Sequence, residues 1–194
     1  MKRLYLFDFD GTLTNKDSLF DFLQFSFPET YKSVFVRFIP LFLLTKLKIF
    51  SAGKTKQKLI SHFLKGKQRA EIEILAQNYF EAQKDSLLRI KSLEYLKNIA
   101  REENKYIVTA SLDIWVKPFA KYLGTRIIST QAEFVNDQFT GKFATPNCNY
   151  KEKVVRIVQE IQLSQFDEVY AFGDSNGDRP MLELATNPNF RYFE

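Results

Sequence analysis

The sequence predicts an α/β fold: a Rossmann-like parallel sheet with helices on both faces, and a helical cap inserted after the first strand. Three observations carry that reading. Short apolar runs at Arg3–Phe9, Tyr106–Thr109, Arg126–Ser129 and Glu168–Phe172 read as buried strands, and helical patterns separate the later ones. The first and last of these runs stop at acidic, glycine-containing turns, Asp10-Gly11-Thr12 and Gly173-Asp174. From Asp17 to Leu88 the apolar spacing is helical, which places four consecutive helices directly after the first strand.

The elements follow in order. Asp17 and Ser18 form an N-cap region ahead of Leu19, Phe20, Phe22 and Leu23. Pro28-Glu29 ends that helix and starts the next. Pro40 lies inside the following pattern, Tyr31 to Phe50, and is expected to kink or break it. Ser51-Ala52-Gly53 is a break. Lys54–Leu64 forms a third helix closed by Gly66, and Gln68–Leu88 a fourth. Helices are also expected over Leu93–Glu103, over Asp113–Leu123 with Gly124 as its stop, over Tyr150–Gln162 and over Arg179–Ala185. In the Tyr150–Gln162 helix, Val154, Ile157, Val158 and Ile161 set the apolar spacing. Glu133–Phe143 reads as a hairpin turning at Asn136-Asp137, and a last strand is placed near Phe190–Phe193. The division expected is a catalytic core of residues 1–15 and 89–194 around a cap of residues 16–88.

Composition narrows the function classes. The 194 residues are 45% hydrophobic and 26% charged, a globular balance that excludes a disordered or collagen-like chain. A single cysteine, Cys148, excludes an intramolecular disulfide and points to a reducing, cytoplasmic setting. Acidic residues follow the first apolar run at once, unlike a signal peptide. The apolar stretch Phe38–Leu44 falls far short of the roughly 20 residues that span a bilayer. The net charge of +5 fits an anionic substrate. Eight of the 20 phenylalanines crowd between Leu19 and Phe50, as a packed helical insert or as an apolar surface for a greasy substrate or a membrane. Lys54, Lys56 and Lys58 are too weak a basic cluster to indicate nucleic acid.

The chemistry sits at two strand ends. Asp8 and Asp10 are two apart on a strand, so both carboxylates face one way. Asp174 and Asp178 follow the Glu168–Phe172 run. In an open parallel sheet, ligands bind beyond the carboxyl ends of the strands. Asp and Gly are ordinary turn formers at such places; it is the pairing of two clusters in this chain order that points to a site. Four carboxylates converging there repel one another. A hard divalent cation with oxygen ligands, Mg²⁺, relieves the repulsion.

The motifs Asp8-Phe9-Asp10-Gly11-Thr12 and Gly173-Asp174-Ser175-Asn176-Gly177-Asp178 resemble those of the haloacid dehalogenase-like (HAD) hydrolase superfamily. A helical insert right after the first motif resembles the first cap class, as in phosphoserine phosphatase. Thr145-Pro146-Asn147-Cys148, followed by Lys153-Val154, resembles subfamily IB. The resemblance implies a Mg²⁺-dependent phosphomonoester hydrolase working through an aspartyl phosphate. Asp8 is then the nucleophile and Asp10 the general acid and base. The family pattern places the metal on the Asp8 carboxylate, the Asp10 backbone carbonyl and the Asp174 carboxylate, with Asp178 orienting the groups around it. Dehalogenase-type members lack the second Asp, so Asp10 argues for phosphoryl chemistry. Thr109, with Ala110 after it, fits the second family motif, in which a hydroxyl binds a phosphoryl oxygen; Ser111 or Asp113 is the expected cap of the next helix. Lys151 and Lys153 compete for the lysine that pairs with nucleophile and phosphate: spacing from Cys148 and the following Val154-Val155-Arg156-Ile157 favour Lys153, while the Tyr150-Lys151 pair, similar to phosphoserine phosphatase, keeps Lys151 as a substrate-binding alternative.

The substrate is less determined. Phosphoserine phosphatases carry Ser-Gly-Gly where this chain has Thr109-Ala110-Ser111, and a cap Glu where it has Asp17. Their cap Arg has no clear match, since the equivalent helix offers lysines. The cap from Phe35 to Phe50, with Arg37, Lys46 and Lys48 interspersed, resembles that of subfamily IB members acting on phosphatidylglycerophosphate. The expected partners are a small phosphorylated metabolite, or a lipid phosphate with peripheral membrane contact through the cap, and no nucleic acid. The same residues permit a phosphotransferase or mutase, or a non-catalytic phosphate-binding module.

Overall fold

The computed structural model of the chain describes residues 1–47, 49–100 and 104–194. Lys48 and the end of the helix expected to reach Glu103 lie outside the described residues. Five strands form one parallel sheet: β1 (Arg3–Phe7), β2 (Asn104–Leu112), β3 (Arg126–Thr130), β6 (Glu168–Gly173) and β7 (Asn187–Phe190), in the order β3-β2-β1-β6-β7. The central strand is buried on both faces, and its residues alternate. Leu4 and Leu6 join a cluster with Ile157, Met181 and Leu182, from helices α7 (Lys151–Glu160) and α8 (Arg179–Leu184). Tyr5 and Phe7 turn to the other face, where Phe7 stacks on Phe172 at 4.8 Å and Tyr5 on Tyr170 at 5.0 Å. That face is covered by α5 (Ile90–Asn98) and α6 (Asp113–Leu123).

Between β1 and α5 stand four helices: α1 (Ser18–Ser26), α2 (Pro28–Lys46), α3 (Ala52–Leu64) and α4 (Arg69–Leu87). The Asp17 carboxylate accepts the Leu19 N–H at 3.0 Å, the expected N-cap, and Pro28 opens α2 from its first turn. The expected break at Pro40 is absent: α2 runs through it to Lys46. Pro40 removes a single N–H, the one that would serve the carbonyl of Val36, and both residues lie on the exposed side, where the loss of that bond costs least. Most phenylalanines of the insert turn inward, Phe25 being exposed. Phe20 meets Phe35 and Phe42 edge-on, both at 5.7 Å, and Phe27 stacks on Phe63 at 5.1 Å. Phe22, fully buried, stacks on Trp115 of α6 at 5.1 Å and fixes the insert to the sheet layer.

Two further seams join insert and sheet layer. Where the chain enters and leaves the insert, Thr14 and Leu88 pair antiparallel; Asn15 N–H donates to Leu87 O and Arg89 N–H to Leu13 O, both at 2.9 Å. The hairpin β4 (Ala132–Val135) and β5 (Gln138–Phe143) turns at Asn136 and Asp137, as the sequence predicts, both at positive φ. It bonds to the α3–α4 connection: Gly66 N–H to Phe139 O (2.8 Å), Phe139 N–H to Lys67 O (3.0 Å) and Arg69 N–H to Asp137 O (2.7 Å). Two expectations shift. The helix placed at Leu93 starts at Ile90, and the last strand is Asn187–Phe190 rather than Phe190–Phe193, because pairing with β6 sets its position.

Candidate active site

The carboxyl ends of β2, β1 and β6 lie side by side. Asp8 directly follows β1, and its N–H continues the ladder to Phe172 O at 2.9 Å. Phe9–Leu13 then make a tight loop with Gly11 at φ +83°. Glycine is required there twice over: an added Cβ would stand 2.5 Å from Asp174 Oδ2. That loop brings the two acidic motifs together, and Thr12 Oγ1 donates to Asp174 Oδ1 at 3.0 Å.

Lys153, in the first turn and a half of α7, is the buried cation of the site. Its Nζ donates to Asp8 Oδ1 (2.5 Å), Asp178 Oδ1 (2.6 Å) and the carbonyl of Val108 (2.7 Å). Lys151 lies exposed at the start of the same helix. Helical spacing decides between the two lysines, because positions two apart face different ways. Asp178 is locked by its other oxygen, which accepts the Ser175 hydroxyl (2.7 Å) and N–H (2.9 Å). Ahead of α7, Tyr150 is held at φ +52°, with its N–H on Gly177 O at 3.0 Å, so the lysine helix is tied to the second acidic loop.

Asp8, Asp174 and Asp178 each offer an oxygen, and these lie within 4.8 Å of one another. Burial pushes the Asp8 carboxyl up to about 7, against the pull of Lys153. Burial likewise raises Asp174, with Thr12 opposing. Asp178 is also buried, but Lys153 and the Ser175 donors outweigh that and hold it low. Burial would lower the Lys153 ammonium; Asp8 and Asp178 outweigh it and keep the proton on. One ammonium thus faces three carboxylates. The donor set, all oxygen and short of positive charge, fits a hard divalent cation such as Mg²⁺.

Asp10 lies not on the strand, as its two-residue spacing from Asp8 predicts, but in the Phe9–Leu13 loop, and its carboxylate bonds to the insert and to β2. Its Oδ1 accepts the Ser18 N–H at 2.7 Å and its Oδ2 the Ser111 hydroxyl at 2.5 Å. Burial and the neighbouring Asp17 raise its carboxyl, which favours the protonated form. Asp17 faces Lys56 of α3 at 3.6 Å. Thr109, buried near the end of β2, accepts the Ser111 N–H at 3.0 Å, and the Ala110 carbonyl accepts the Thr130 hydroxyl at 2.9 Å. Neither Ser111 nor Asp113 caps α6: Ser111 serves Asp10, while Asp113 accepts the Ala132 N–H and pairs with Lys117.

A model of the haloacid dehalogenase-like hydrolase family matches residues 5–183, which includes both acidic loops and Lys153. The chain belongs to the haloacid dehalogenase-like hydrolase family. It is similar to Protein CicA of Caulobacter vibrioides, 36% identical over 98% of this chain and 86% of that protein. A Bordetella pertussis Tohama I protein of unknown function shares its fold with a TM-score of 0.84 and 24% identity, over 96% of this chain and 88% of that one. Phosphoserine phosphatase shares it too. Its substrate-bound complex gives a TM-score of 0.62 at 19% identity, and its phospho-aspartyl intermediate analogue 0.59 at 18%; each covers 95% of this chain and 83% of the other.

In this family member several polar groups around the carboxylates are not marked as site residues by the sequence. Thr12 belongs to the first motif and was legible as part of it. Ser111 and Ser18 were legible only as cap formers. Trp115 Nε1 donates to Ser18 Oγ at 3.0 Å, so a tryptophan that reads as core also supports the Asp10 neighbourhood.

Proposed function

We propose that this hydrolase is a Mg²⁺-dependent phosphomonoester phosphatase. The observation that carries the reading is the buried Lys153 ammonium bridging Asp8 and Asp178, with an Asp174 oxygen within 4.8 Å of oxygens of both. When bound, Mg²⁺ would be held by the Asp8 and Asp174 carboxylates and the Asp10 backbone carbonyl, and would neutralise phosphate charge. The carboxylate of Asp8 attacks phosphorus as the ester P–O bond breaks, giving an aspartyl phosphate. Asp10, whose burial favours the acid form, gives its proton to the departing oxygen. The same carboxylate then takes a proton from water, which attacks phosphorus, frees inorganic phosphate and restores Asp8. Lys153 keeps Asp8 oriented and offsets charge on the phosphoryl group, and the Thr109 hydroxyl and backbone beyond it bind phosphoryl oxygen. Asp17 and Lys56, at the rim formed by the insert, contact the remainder of a small phosphorylated substrate.

The test is turnover of an aryl phosphate. EDTA abolishes it and Mg²⁺ restores it; Asp8→Asn is inactive, and Asp10→Asn loses about 10²–10⁴-fold. Mass spectrometry of trapped enzyme finds the phosphoryl group on Asp8. Undiminished turnover in metal-free protein, or a label on serine or histidine, overturns the proposal.

A further inference from the structure

The outer side of α2 is apolar and uncovered. Val36, Ile39, Leu43 and Leu47 recur at three- and four-residue steps along one side of this helix and its C-cap, and all are exposed, Leu43 by 56% and Leu47 by 69%. Leu44 and Ile49 widen the stripe. The charge along the segment that carries it is one-sided, although Lys56, Lys67 and Arg69 pair with Asp17, Glu71 and Asp137 from outside that segment. From Thr30 to Ala70 the chain carries ten lysines and arginines and no aspartate or glutamate, whereas the rest of the molecule is net negative. Lys32, Arg37 and Lys46 stand exposed on the same helix.

We infer that this face docks on an anionic lipid bilayer, the helix lying in the plane of the interface with its aliphatic stripe inserted and its cations among the headgroups. No helix among the described residues is long and apolar enough to cross a membrane, so the contact is peripheral. Nucleic acid fits less well. Base stacking needs exposed rings beside the cations, and here Phe35, Phe38 and Phe42 pack inward while the outward side chains are aliphatic. The inference goes beyond the phosphatase reading and does not depend on it.

The experiment is vesicle sedimentation of the whole chain, using phosphatidylcholine with and without phosphatidylglycerol. The parent protein sediments with the anionic vesicles only, and less as salt rises. L43S/L47S, in exposed positions, keeps the parent melting temperature and aryl phosphatase rate and loses about tenfold or more in vesicle affinity. R37Q/K46Q loses affinity for the anionic vesicles with fold equally intact. A parent protein that stays in the supernatant overturns the inference, as does an L43S/L47S variant that binds like the parent. Binding to poly(U) that L43S/L47S retains in full, without vesicle binding, assigns the basic segment to nucleic acid and overturns it as well.

Discussion

Lys153 and Lys151 differ by two positions and by nearly everything physical. Lys153 is buried between two carboxylates, so Lys153→Met leaves Asp8 and Asp178 without their cation. Breaking a buried pair from one side costs about 3–5 kcal/mol. Lys151→Met, on the surface, changes stability by no more than about 0.5 kcal/mol. Urea unfolding of both variants checks the contrast, which the sequence alone left open because both lysines stand near the Thr145–Cys148 motif. Cys148 offers a pH-dependent counterpart. It is fully buried, and burial pushes its thiol up to about 11. The unfolded thiol ionises near about 8.5, so the folded value is the higher one. The associated stability is complete at neutral pH and fades as pH rises through the unfolded value toward the folded one. The native protein at pH 8 therefore resists thiol alkylation, and the unfolded chain reacts at once. Rapid labelling of the folded protein contradicts that burial.

Among the elements, those with local punctuation were legible and those set by partners were not. Asp17, Pro28, Gly66 and Gly124 mark helix ends that the structure reproduces within a residue or two, since caps and breakers act through their own neighbours. Pro40 does not break α2 because the effect of one proline depends on whether its side of the helix is wet, a tertiary property. β7 was misplaced because Asn187-Pro188-Asn189 has little strand propensity and is ordered by β6. At this scale α1 and α6 depend on each other through Phe22 and Trp115. Phe22→Ala removes a fully buried ring that stacks on Trp115 and meets Tyr79 edge-on at 5.5 Å. The expected loss is about 3–5 kcal/mol. Trp115 is the chain's one tryptophan, so its emission during urea unfolding reports the loss directly.

At the scale of the molecule, the sheet and the acidic loops were visible in the sequence because each is a short-range pattern: an apolar run, then a turn of fixed composition. The network around Asp10 was not, because Ser18, Ser111 and Trp115 meet only through the packing of insert on sheet. That packing has a mechanical consequence. Thr14 and Leu88 form a hinge at one end of α4, and the hairpin bonds to Gly66, Lys67 and Arg69 at the other. Nineteen helical residues set the two about 28 Å apart. A plate held on one hinge swings freely; a strut at its far edge turns the hinge into a closed frame. The insert can rotate as a rigid plate only after three backbone hydrogen bonds part, each worth about 0.5–1.5 kcal/mol. The amides of Gly66, Phe139 and Arg69 are the latch. If the frame is stiff, they exchange with deuterium in concert, at one rate; if they exchange independently of one another, the strut bears no load.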